Sequence, residues 1–173
     1  NESDSESESA SKSISWTNQE TGYRVLLEDD AGLLTEEEIR LLALEMQDIT
    51  AYGNVAFKSI SYNIHSASSF ARDYYHQQFF SESGTLFLID MDNREIYIFS
   101  DGSVYRTITS AYASTITDNV YRYASSADYY SCASQAFEQI RILLSGRRIA
   151  QPMKYISNAL LALILASLIN YFV

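Results

Sequence analysis

Two short acidic clusters carry the residue types most able to do chemistry: Glu28-Asp29-Asp30 and Asp90-Met91-Asp92-Asn93. Hard cations take several oxygen ligands at once, and Asp, Asn and backbone carbonyls supply them. Asp30, Asp90, Asp92 and Asn93 are therefore the candidate ligands for calcium or another divalent cation. Asp90 carries most weight, because it closes an apolar run. The plainer reading is a pair of solvated turns, where Asp and Asn bond the local backbone. The same carboxylates could serve a phosphohydrolase, through a metal or through an Asp nucleophile. Phosphate must then be held by Arg, Lys or a backbone nest. Only Arg94 stands beside the acidic pair, with Arg106 further along. No glycine loop able to cradle phosphate accompanies them, so no catalytic residue is assigned.

The remaining reactive types point to little. Cys132 is the single cysteine, which excludes an internal disulfide; a lone Cys is more often a small buried residue than a nucleophile. His65 and His76 have no metal-ligand spacing around them. A net charge of −10 with scattered Lys and Arg argues against nucleic acid. The 14 tyrosines fall mostly on expected helices. They suit half-buried helix faces first and a protein interface second.

The elements that must position the acidic clusters follow from periodicity. Tyr23–Glu28 reads as a strand ahead of the loop Asp29–Gly32. Thr35 with Glu38 three residues later predicts a capping box, with Leu34 and Ile39 as the hydrophobic staple. The stripe Ile39, Leu42, Ala43, Met46, Ile49 follows, and Gly53 is read as the stop. Asn54–Tyr62 is a second strand, and a second helix is expected over about 68–80, presenting Phe70, Tyr74 and Gln77 or Gln78. Thr85–Asp90 has the apolar character of a central strand. Glu95–Ser100 is its hairpin partner, and Asp101-Gly102 the next turn. Helices over about 110–123 and 128–145 complete the set. This order predicts an α/β fold: a three-layer α/β/α sandwich with a small mixed sheet and right-handed crossovers.

The two ends differ from the middle. Residues 1–20 read as a disordered acidic tether, 21–146 as the α/β/α domain, 147–154 as a basic juxtamembrane linker and 155–173 as a transmembrane helix. Tyr155–Val173 has no charged residue and is apolar on every face. It just reaches the ~20 residues that cross a hydrocarbon core. Tyr155, Tyr171 and Phe172 are placed as interfacial anchors. The chain starts on Asn rather than Met, as after removal of a leader. Arg147, Arg148 and Lys154 ahead of the span would place the domain in the cytoplasm on charge alone.

The segments Asp30-Ala31-Gly32-Leu33-Leu34 with Thr35-Glu36-Glu37-Glu38, Gly84 through Arg94, and Asp128-Tyr129-Tyr130 together resemble the TPM domain family across Tyr23–Ser145. That resemblance implies an α/β/α sandwich, exported behind a leader and often followed by a membrane span. It favours a single-pass cell-membrane protein with an extracytoplasmic domain, and outweighs the three positive residues. It also implies a choice of activities: acid phosphatase, divalent-ion binding, or assembly and auxiliary roles. The chain departs from the family at Asp101–Tyr112, where many relatives carry a glycine-rich stretch. The expectation is thus a non-enzymatic interaction, assembly or regulatory module for envelope proteins. Its partners would be membrane lipid, through the last helix, and another protein. A metal-dependent acid phosphatase is the alternative.

Overall fold

The computed structural model describes residues 12–172. The elements in order are β1 (Lys12–Thr17), β2 (Arg24–Asp29), α1 (Glu36–Gln47), β3 (Asn54–Ile60), α2 (Ala67–Phe79), β4 (Gly84–Asp90), β5 (Glu95–Asp101), α3 (Gly102–Tyr105), α4 (Ser110–Ser125), α5 (Tyr129–Leu144) and α6 (Pro152–Phe172). The strands form one mixed sheet in the order β1-β2-β3-β4-β5. β2, β3 and β4 run parallel, and β1 and β5 close the edges antiparallel.

Local chemistry explains where α1 begins. The Glu38 backbone N–H donates to Thr35 Oγ1, and the Thr35 N–H donates to Glu38 Oε2 at 2.7 Å, so the expected capping box forms. Its buried stripe is Ile39, Leu42, Ala43 and Met46. The end differs from expectation: α1 stops at Gln47 and tightens into a 3-10 turn over Asp48–Ala51. Gly53 is therefore not its left-handed stop. It is needed because a Cβ there would press into the Ser83 carbonyl and the Val104 side chain.

The strands alternate between two cores. Val25, Leu27, Val55, Phe57, Phe87 and Ile89 face α1, α4 and α5. Ala56, Leu86 and Leu88 face α2, which covers the other side with Ala67, Ala71, Tyr74, Tyr75 and Phe79. Here the expected face of α2 is rotated. Ala67 and Ala71 have no bulk beyond Cβ and seat the helix on the sheet, while Phe70 is displaced to the margin and Gln77 to solvent.

Two further corrections concern topology. Residues 12–17 belong to an edge strand rather than to a disordered tether: Ile14 pairs with Leu27 and Trp16 with Val25, and Ile14 packs on the core. The acidic run ahead of it lies outside the described residues. The two crossovers also cannot share one hand. β2, β3 and β4 succeed one another across the sheet, yet α1 and α2 lie on opposite faces. One of the pair is therefore left-handed, against a strong general preference.

α6 forms over 21 residues, and its large apolar side chains, from Ile156 to Ile169, are solvent-exposed. The segment before it is docked: Ile149 packs against the core, and Asn119 Nδ2 donates to the Ala150 carbonyl at 3.0 Å. Among the described residues no helix is long and apolar enough to cross a membrane. The expected transmembrane helix is thus not established by the fold.

Candidate functional site

The parallel strands β2, β3 and β4 end on one edge of the sheet, so both acidic clusters lie there. α1 leaves β2 toward one face and α2 leaves β3 toward the other. Such a divergence opens a crevice at the strand ends, the usual ligand position in an open α/β sheet. An open groove of about 590 Å³ occupies this place, between Asp30, Lys58, Tyr62, His65, Phe70 and Tyr74 among others.

The first cluster is built around two buried side chains. Asp29 accepts from the backbone N–H groups of Leu33 and Leu34 at 3.0 and 2.8 Å, and from the Ser59 hydroxyl. Ser59 Oγ in turn accepts from the Ala31 N–H at 3.0 Å. These bonds pin the loop that leads into α1. Lys58 is 6% exposed, a charged residue inside an otherwise buried strand. Its ammonium donates to Glu28 Oε2 at 2.7 Å and to Asp30, and lies 5.2 Å from the Tyr74 ring centre. The Tyr74 hydroxyl donates to the same Glu28 oxygen. Burial first, then the Glu28 charge, pushes the Tyr74 phenol far up, so it remains a donor at all ordinary pH.

The second cluster is a hydrogen-bonded knot. Asp90 is 1% exposed. Its Oδ1 accepts from the Asp92 and Asn93 backbone N–H groups at 3.1 and 3.0 Å. Its Oδ2 accepts from the Asn63 and Asn93 side-chain amides at 2.6 and 2.8 Å. Asp92 Oδ2 accepts from the Asn63 N–H, and Asn93 Nδ2 also donates to the His65 carbonyl. Burial by itself would raise the Asp90 carboxyl, but these four donors outweigh it and hold the group below the usual carboxylate range.

The structure thus brings Asp90, Asp92 and Asn93 together and leaves Asp30 apart. β3 separates the strands that carry them, about 10 Å at two strand spacings. Asp30 is engaged with Lys58, and both oxygens of Asp90 are turned to N–H donors. This donor set does not fit a cation shared among Asp30, Asp90, Asp92 and Asn93. Among the described residues no group of three or more His, Cys, Asp or Glu side chains is arranged for a metal ion. Lys58 and Asn63 are organising residues that the sequence reading did not single out, and Asp29 was read only as part of the acidic loop. Lys58 had a visible signal, a cation interrupting the apolar run Val55-Ala56-Phe57. Asn63 had none, because its partner lies 27 residues away. Cys132 is fully buried in α5, and burial with the nearby Asp128 charge pushes its thiol up to about 12. It is a packing residue, not a nucleophile.

The fold and this edge define a small α/β module of one mixed sheet with helices on both faces. The TPM domain family model matches residues 27–142, and the chain belongs to that family. Several solved structures share the fold, two of which follow. One is the N-terminal domain of a protein from P. gingivalis, with a TM-score of 0.61 and 18% identity, covering 70% of this chain and 82% of that one. The other is the BA42 protein from the psychrophilic bacterium Bizionia argentinensis, with a TM-score of 0.57 and 13% identity, covering 65% and 82%. No curated protein matches the chain.

Proposed function

We propose that this chain is a membrane-tethered, extracytoplasmic TPM module that docks, assembles or regulates other envelope proteins rather than performing catalysis. The observation that carries the reading is α6, a helix of 21 residues whose large apolar side chains face solvent on all sides. Such a surface is stable only when lipid or protein covers it. Docking is supported by Tyr62 and Ile64, which are 75% and 73% exposed on the β3–α2 loop beside the crevice. The carboxylates there are already engaged by Lys58 and the Asn63 and Asn93 amides, which favours binding over chemistry.

Alkaline carbonate extraction of membranes tests the tether. The full chain should stay in the pellet, whereas Leu161→Arg combined with Leu165→Arg should release a folded domain. Each Arg at a helix centre costs ~2.5–3.5 kcal/mol of insertion. Release of the unsubstituted chain by carbonate would remove the tether from the reading. On intact cells, added protease should remove the domain; survival until lysis would place it in the cytoplasm. Crosslinking through Tyr62 in native membranes should then recover a protein neighbour.

The weaker reading is a divalent-cation site at Asp30, Asp90, Asp92 and Asn93, with an acid phosphatase built upon it. Thermal melts with and without calcium decide between the two. A bound ion at a hundredfold excess over its dissociation constant adds ~2.7 kcal/mol of stability. The geometry predicts no calcium-dependent gain for the unsubstituted chain. A gain that Asp90→Asn and Asp92→Asn abolish would promote the cation reading, and loss of that gain on acidification would identify carboxylate ligands.

A further inference from the structure

A second cleft, of about 460 Å³, lies beneath the β4–β5 hairpin, where the hairpin meets the turn between α4 and α5. That size falls within the range of small-ligand pockets. Its wall is apolar along Ile89, Met91, Ile96 and Ala124, and its mouth carries Arg94, Glu95 and Tyr129.

The hairpin turn gives this mouth an unusual composition. Arg94 closes the turn before β5 with φ 55°, the left-handed region that favours Gly or Asn, and lines the cleft beside Glu95. Neither side chain has a hydrogen-bond or ion-pair partner among the described residues, although they are adjacent and opposite in charge. An Arg is kept in a conformation that Gly would adopt with less strain, and its exposed guanidinium has no partner among the described residues. A strained residue at a cleft is a pointer to function.

We infer that this cleft binds a free α-amino acid with an apolar side chain. The planar Arg94 guanidinium takes the α-carboxylate through paired N–H donors. Glu95 accepts from the α-ammonium, and Tyr129 supplies a hydroxyl at the mouth. Ile89, Met91, Ile96 and Ala124 receive the side chain. Arg94 beside Glu95 suits a zwitterion, whereas a phosphate dianion would meet the carboxylates of Glu95 and Asp90 with a single opposing charge. Asp90 lines the floor, but its oxygens are taken by the Asn63 and Asn93 donors and are not offered to the ligand. The inference does not depend on the membrane reading.

The test is NMR titration of the full chain in detergent micelles with L-leucine, L-leucinamide, N-acetyl-L-leucine and inorganic phosphate. Leucine should shift the Arg94, Glu95 and Tyr129 signals saturably. Each blocked analogue should bind about tenfold more weakly, the scale of one lost charged hydrogen bond. Arg94→Gln should abolish the preference for leucine over leucinamide, and Glu95→Gln the preference over N-acetyl-leucine. Arg94→Gly should lose binding while melting no lower than the parent, which separates a lost ligand contact from unfolding. No saturable shift with leucine, equal binding of leucine and its blocked analogues, or displacement of leucine by phosphate would each overturn the inference.

Discussion

Asp90→Ala is expected to lower the stability of the domain by about 3–4 kcal/mol, given ~1–3 kcal/mol for each buried donor left without an acceptor. Four N–H donors converge on this carboxylate, and Asn63, itself only 8% exposed, cannot turn to water instead. At ~2–4 °C per kcal/mol, the melting midpoint should fall by roughly 10 °C. Asp90→Asn is nearly isosteric but does not rescue the knot. One of its oxygens becomes an NH2 group, and placing that group at Oδ2 would face the Asn63 and Asn93 amides donor to donor. The pH dependence has a definite sign. The folded carboxyl titrates below its unfolded value, so its contribution is complete above an unfolded pKa of ~4 and is lost as pH falls through the lower folded value. Below pH ~4 the parent should therefore lose stability more steeply than Asp90→Asn, whose side chain does not titrate. Chemical denaturation across acidic pH measures both effects. Equal stability of parent and Asp90→Ala would show that the knot contributes nothing.

Gly84→Ala should be at least as damaging. Gly84 opens β4 between β3 and the Tyr75 side chain of α2, and an added Cβ would run into the Asn54 carbonyl oxygen and the Tyr75 hydroxyl. Neither can yield cheaply. The Asn54 backbone is held by its N–H bond to the Ser83 carbonyl, and Tyr75 is fully buried with its hydroxyl donating to the Glu82 carbonyl at 3.0 Å. Overpacking a core costs ~1–3 kcal/mol, and losing the buried Tyr75 bond adds ~1–3 kcal/mol. A total near 4 kcal/mol predicts a fall of roughly 8–16 °C in the melting midpoint. Calorimetry of the variant checks this, and Tyr75→Phe with Gly84→Ala should recover part of the loss by removing the obstructing hydroxyl. No recovery in the double variant would assign the damage to the Asn54 carbonyl alone.

Asn63 marks where a linear reading stops: nothing within a helical turn of it reveals its role, because its acceptor is brought beside it only when β3 and β4 pair. Elements that depend on neighbours in sequence were legible. The capping box of α1 lies within four residues, the apolar runs of β2 and β4 lie within one strand, and each was readable to within one or two positions. β1 was not read: the acidic run before it placed residues 12–17 with the tether, and the strand forms by pairing with β2. Long-range geometry was not legible. The face that α2 presents depends on how closely Ala67 and Ala71 approach the sheet, and the hand of each crossover depends on which face its helix finds. The acidic clusters show the same division. Their placement at the strand ends followed from the order of elements, since parallel strands must end on one edge. Whether those carboxylates were free for a ligand depended on Lys58, Asn63 and Ser59, which reach them across the sheet. By itself the sequence determined four of the five strands, the helices that pack on them and the acidic edge, because periodicity and capping are short-range. Only the tertiary structure decided which charges were already partnered, because a carboxylate's partners are set by distance in space and not by distance along the chain.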